Sequence, residues 1–160
     1  LTENNLLSYE SLSVKAAEAS ARFHALSAQI KAAEKRMAEI AMLRTHIINY
    51  SKTRDVYVAY RKAGYSKKFY EEHTADLLLH KAAKQAFDAL ASKKLPTVKA
   101  LNIEYAELLA AKKKAFTEYT SARAEMRKVL AVKANVEKIL ERDKNIDTAI
   151  IFAENSLKDL

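Results

Sequence analysis

The sequence predicts an all-α fold, and two observations carry that prediction. Turn residues are nearly absent: 160 residues hold one glycine, Gly64, and one proline, Pro96. A β-sheet of this size needs the tight-turn chemistry that those residues supply. Apolar residues also recur in two long stripes whose steps alternate between four and three, the heptad pattern of packed helices. Alanine, lysine, glutamate and leucine dominate the composition, and all four favour helix. The expected architecture is a long antiparallel helical hairpin with a coiled-coil-like stem. A shorter middle helix sits at its tip, and a C-terminal helix folds back. Residues 1–160 form one elongated domain, with helices at about 10–62, 67–91, 97–143 and 146–159.

The first helix carries the stripe Leu12, Ala16, Ala19, Phe23, Leu26, Ile30, Ala33, Met37, Ile40. After Ile40 a short step to Leu43 shifts the phase, and the line then reads Ile47, Tyr50, Arg54, Tyr57, Arg61. Such a three-residue slip is a stammer, a local overwinding of the coil. Gly64 is the natural stop, because it enters a left-handed cap without strain. Ser66 can cap the next start. The middle helix then has Phe69, Leu77, Ala83, Phe87 and Leu90 on its apolar face, with a break near Thr74 left open.

Residues 92–96 connect to the third helix, for which Thr97 is the N-cap. Its stripe is Leu101, Tyr105, Leu108, Lys112, Ala115, Tyr119, Ala122, Met126, Val129, Lys133, Val136, Leu140. Only the two lysines interrupt it, and they are expected to snorkel or to set register. A last helix presents Ile146, Ile150, Ala153, Leu157 and Leu160 on one face and is expected to cover the open end of the stem. Because many stripe positions are alanine, the core is thin, and a homodimer could cover leftover seam.

The charge is not spread evenly along the chain. Residues 44–70 carry Arg44, Lys52, Arg54, Arg61, Lys62, Lys67 and Lys68 against a single acid, Asp55. Tyr50, Tyr57, Tyr60, Tyr65, Phe69 and Tyr70 are interleaved with them. Folded as a hairpin, the tip half (44–114) holds 15 bases and 7 acids, while the rest holds 13 of each, so the whole net charge of +8 sits in one half. Concentrated positive charge among aromatics is a footprint of polyanion binding. The expected nucleic-acid-binding set is Arg54, Arg61, Lys62, Lys67, Lys68, Lys112, Lys113 and Lys114, with Tyr57, Tyr60 and Tyr65 stacking or positioning. The Gly64 turn with the Ser66 helix start suits a phosphate. The plainer reading is that the tyrosines pack under the middle helix and the arginines are solvated or stacked upon them.

No pattern points to catalysis. His24, His46, His73 and His80 have no pair at metal-ligand spacing, and no glycine-rich phosphate loop or nucleophile elbow occurs. Glu71, Glu72 and Asp76 read as solvated acids favoured at a helix start. No catalytic residue, metal or cofactor is expected. The chain has no cysteine, no signal peptide and no apolar run long enough to span a bilayer, so a cytoplasmic location without a membrane span is expected. Its first residue is leucine rather than methionine, which suggests a piece of a longer protein.

Three runs carry a resemblance: HIINYSKTRDVYVAYRKAGYSKKFYEEH at 46–73, LHKAAKQAFDAL at 79–90 and LPTVKALNIEYAELLAAKKKAFTEY at 95–119. The chain resembles, over about residues 30–140, the C-terminal helical region of relaxases, the mobilisation nucleases of conjugative elements in Gram-positive bacteria. In that family an N-terminal domain nicks DNA with a tyrosine nucleophile and a histidine-cluster metal site. These 160 residues hold no such cluster, so none of their tyrosines is assigned a catalytic role. The resemblance implies a non-catalytic accessory domain in plasmid or transposon transfer, with DNA and other conjugation or secretion proteins as partners. The alternative is a protein-interaction or dimerisation scaffold, a coiled-coil hairpin docking an acidic partner.

Overall fold

The computed structural model of the chain describes residues 3–91 and 94–158, with side chains from residue 8 onward. Four helices follow one another: α1 (Glu3–Lys62), α2 (Lys67–Glu72), α3 (Thr74–Asp88) and α4 (Val98–Lys158). Among the described residues there is no strand. The chain divides into two compact units, residues 1–30 with 114–160, and residues 31–113. The two long helices contribute to both, and within each they pack antiparallel as a helical hairpin.

In the first unit the seam positions meet as the heptad spacing predicts. Ala16, Ala19 and Leu26 of α1 are buried, as are Ala115 and Ala122 of α4. Ile30 and Tyr119 close over the Leu26, Ala115 and Ala122 cluster, and Phe23 stacks on Tyr119 with ring centroids 5.0 Å apart. Polar pairs set the register: Tyr9 donates its hydroxyl to Glu137 at 2.7 Å, and Arg22 lies 3.4 Å from Glu125.

In the second unit the core is Ile40, Leu43 and Leu101, with Ile47, Phe87, Leu90, Tyr105 and Leu108 packed around it. Arg36 forms a two-pronged pair with Glu104, Nε to Oε1 at 2.7 Å and Nη2 to Oε2 at 3.1 Å. This bond holds the Glu104 carboxyl below the usual range, against a smaller opposing effect of burial. Arg44 donates to Asn102 at 2.8 Å and lies over the Tyr105 ring at 5.8 Å. Lys112, a seam position, reaches Glu34 at 3.1 Å, a pair across the seam that fits its expected part in setting register. Lys133, its counterpart in the other unit, lies 3.7 Å from Glu137 on its own helix.

Three expectations are corrected. No separate C-terminal helix folds back, because α4 runs unbroken to Lys158. Residues 143–146 contain no glycine or proline to stop it. The break left open near Thr74 does occur: the middle helix is two helices that meet at His73, whose N–H reaches the carbonyls of both Phe69 and Tyr70. Glu71 and Glu72 therefore end α2 rather than start a helix, while Asp76 does stand in the first turn of α3. The stripe on late α1 does not pass through Arg54 and Arg61: Thr53 is buried and Tyr60 half-buried, whereas both arginines are exposed. The three-residue slip to Leu43 is present, since Met37, Ile40 and Leu43 are all buried, and a second one falls at Thr53, where α3 docks on this face of α1. Thr97 caps α4 as expected, accepting from Ala100 N–H at 3.1 Å. Ser92, Lys93 and Leu160 lie outside the described residues.

Ile40 has no exposed surface, while Met42, two residues on, is 65% exposed. Ile40→Ala should therefore cost about 3 kcal/mol in chemical denaturation, and Met42→Ala less than about 0.5 kcal/mol. Similar losses at the two positions would contradict the register.

Candidate nucleic-acid interface

The candidate site lies in the unit spanning 31–113 and grows from the last four turns of α1. Tyr50, Thr53 and Tyr57 stand at steps of three and four, so they share one stripe. On α3, Leu77, His80 and Ala83 are the buried positions. The His80 ring enters between the two tyrosines, with centroids 4.5 Å from Tyr50 and 4.4 Å from Tyr57, inclined by 21° and 13°. Phe87 meets Tyr50 edge-on at 5.4 Å.

One hydrogen-bond chain fixes the imidazole. The Thr53 hydroxyl donates to the Asn49 carbonyl at 2.7 Å, so its oxygen is left to accept. His80 Nδ1 lies 3.0 Å from that oxygen and must be the donor. That arrangement suits an imidazole with a proton on Nδ1. Burial, then the nearby charge of Lys84, holds its pKa below the ordinary histidine range. Among the described residues, no buried side-chain nitrogen or oxygen lacks a partner.

The end of α1 is a Schellman cap. Tyr65 N–H bonds to the Tyr60 carbonyl at 3.0 Å and Gly64 N–H to the Arg61 carbonyl at 3.1 Å. Gly64 has φ +66° and Tyr65 has φ +60°, two consecutive left-handed residues. The hydrophobic contact of the motif is made by Tyr60 and Tyr65, whose rings meet edge-on at 5.3 Å. That contact helps offset the strain of a bulky residue at positive φ. Tyr60 also meets Phe69 at 5.9 Å and Tyr70 at 6.1 Å, so it ties the turn to α2. Ser66 caps α2 by accepting from Phe69 N–H at 3.4 Å, which occupies an amide that a phosphate would otherwise use.

The expected site residues therefore fall into distinct groups. Tyr57 and Tyr60 are half-buried in ring contacts, and Tyr65, 56% exposed, leans on Tyr60. Arg54, Arg61, Lys62, Lys67 and Lys68 are exposed, and none makes an ion pair among the described residues. The run Lys112, Lys113, Lys114 does not join them as a set. Lys112 is held by Glu34, Lys113 is exposed, and Lys114 belongs to the other unit.

The cations differ in what the local backbone makes of them. Arg61 and Lys62 stand in the last turn of α1, where positive charge favours the helix dipole. Lys67 and Lys68 open α2, where positive charge opposes the dipole, and its first turn has no acid. Nothing in the local fold calls for the second pair.

Beside this group lies a cleft of about 300 Å³ lined by Tyr57, Tyr60, Tyr70, Leu77, Leu78, His80, Lys81 and Lys84. It combines aromatic rings with two lysines and contains no acid. Lys81 and Lys84 were not among the expected site residues. Their signal was their position on α3, where Lys84 follows Leu77 and His80 at steps of three and four. The other histidines are scattered: His73 packs on Phe69 at 4.3 Å, His24 meets Phe23 edge-on, and His46 is half-buried. Among the described residues no three His, Asp or Glu side chains cluster to hold a metal, and no helix is long and apolar enough to cross a membrane. Protein-family models, curated proteins and solved structures give no match to this chain.

Because His80 is held neutral when folded but titrates normally when unfolded, the unfolded chain takes up the extra proton. Its contribution to stability is present above pH 6.5 and is lost as pH falls below that value. The urea midpoint should thus fall between pH 7 and pH 5, and His80→Phe should flatten that dependence. An unchanged slope in His80→Phe would contradict the neutral, buried imidazole.

Proposed function

We propose that this chain is a non-catalytic nucleic-acid-binding module, an accessory domain of a relaxase-like DNA mobilisation protein. The observation behind the binding role is the division of charge between the two compact units. Residues 31–113 hold 17 lysines and arginines against 9 acids, a net +8, while the other unit holds 11 of each and is neutral. Solubility alone would not require the whole excess to lie in one unit. Arg54, Arg61, Lys62, Lys67 and Lys68 supply the phosphate contacts, and Lys81 and Lys84 extend them beside the aromatic cleft. Tyr57 and Tyr60 position this surface from beneath, while Tyr65 and Tyr70 offer ring faces for bases. The DNA-mobilisation context rests on the resemblance of residues 46–73, 79–90 and 95–119 to relaxase helical regions.

Anisotropy of labelled single- and double-stranded oligonucleotides across a salt series tests the binding. Each phosphate contact contributes about 0.7–0.9 to the slope of log K against log salt, so four contacts predict a slope of about −3. Replacing Arg54, Arg61, Lys67 and Lys68 together with glutamate should abolish binding at unchanged melting temperature, because these side chains are exposed. Lys138→Glu with Lys144→Glu, in the neutral unit, should leave binding intact. Absence of binding at low salt, or wild-type affinity in the fourfold variant, would overturn the proposal.

A further inference from the structure

Past Leu140, every described residue of α4, from 141 to 158, is exposed. Its sequence is nevertheless not that of a solvated helix. Val132, Val136, Ile139, Asp143, Ile146, Ile150, Ala153 and Leu157 follow one another at alternating steps of four and three, and Asp143 alone is polar. This is a second heptad seam on α4. It is displaced by three residues from the seam that faces α1 and shares Val136 with it.

The second seam is open where the first is covered. Val132 is 45% exposed, Ile139 56%, Ile146 and Ile150 50% each, and Leu157 69%. Val136, Ile139 and Asp143 also line a cleft of about 450 Å³ with Tyr9, Leu12 and Leu140. The stripe therefore begins at the edge of the α1–α4 interface and runs on from it. The unbroken α4 leaves its last segment no turn by which to fold back onto the chain.

We propose that this stripe pairs with the same stripe of a second copy, as an antiparallel two-helix coiled coil. From 132 to 157 it covers 26 residues, which at 1.5 Å each make about 39 Å of seam. An antiparallel partner centred between Lys144 and Asn145 sets Val132 opposite the partner's Leu157, Val136 opposite the partner's Ala153, and Ile139 opposite the partner's Ile150. Asp143 then faces the partner's Ile146. A parallel pair would instead place both Asp143 carboxylates in one buried layer, where like charges repel. A single polar residue in such a seam fixes register and orientation. The antiparallel register also brings Lys133 beside the partner's Glu154, once at each end. The unit that bears the stripe is neutral, 11 bases against 11 acids, so the pairing units add no net charge repulsion of their own.

Light scattering on the nuclease-treated 160-residue chain in high salt, over a concentration series, tests the pairing apart from any nucleic-acid bridge. The expected mass is twice the 18.0 kDa of the chain. Ile139→Asp with Ile150→Asp should return it to one chain with unchanged helical circular dichroism, whereas the fourfold Arg54, Arg61, Lys67 and Lys68 variant should remain dimeric. A monomer at every concentration, or a dimer indifferent to Ile139→Asp with Ile150→Asp, would overturn the pairing. The chain lacks cysteine, which allows a direct check of orientation. Ile139→Cys combined with Ile150→Cys should crosslink two chains on oxidation, while Ile150→Cys alone should not. Efficient crosslinking of Ile150→Cys alone would overturn the antiparallel arrangement.

Discussion

A neutral imidazole held between two phenol rings decides how the basic unit is built. His80 stacks between Tyr50 and Tyr57, and its Nδ1 bonds to Thr53 between them on α1. Stacked pairs of this kind contribute about 0.5–1.5 kcal/mol each beyond the area they bury. The hydrogen bond satisfies Nδ1, a ring nitrogen whose burial without a partner would be costly. Together they lock α3 onto α1 in one register. The same register leaves Arg54 one residue off the buried stripe, about 100° around the helix and into solvent. Docking of α3 and display of charge are thus two results of one contact.

That arrangement separates two roles that the sequence interleaves. The tyrosines act mainly as the base on which the surface rests: Tyr50 and Tyr57 grip His80, and Tyr60 joins the Schellman cap to α2. The cations above them lack acidic partners. Lys67 and Lys68 are the most telling, because they weaken the helix they begin. The neutral unit behaves differently, since its cations are balanced one for one by acids.

Most of the seam was legible residue by residue. Each seam position from Leu12 to Ile40, and from Leu101 to Leu140, is buried or half-buried, because a four-three alternation can face only one way on a helix. On late α1 the expected line holds at Tyr50 and Tyr57 but falls one residue late at Arg54 and Arg61, where Thr53 and Tyr60 face inward. Thr53 looks polar in sequence, but its hydroxyl is satisfied by Asn49 and His80 and so tolerates burial. The partner that Lys112 takes, Glu34, was not legible, because the two stand 78 residues apart in sequence. Tyr65 carries no mark of its positive φ, which arises from the cap around it. The end of α4 departs from expectation for a different reason: an apolar face does not by itself imply a turn that brings it back onto the same chain, and α4 runs unbroken to Lys158. The Gly64 stop and the Ser66 and Thr97 caps were read correctly because each rests on short-range chemistry alone.

We propose that the +8 unit, and not the neutral one, meets nucleic acid. Lysine acetylation read by mass spectrometry, with and without a saturating oligonucleotide, tests it residue by residue. The account predicts strong protection of Lys62, Lys67, Lys68, Lys81 and Lys84, with Lys138, Lys144 and Lys158 labelled as in the free chain. Equal protection in both units, or protection confined to the neutral one, would contradict it.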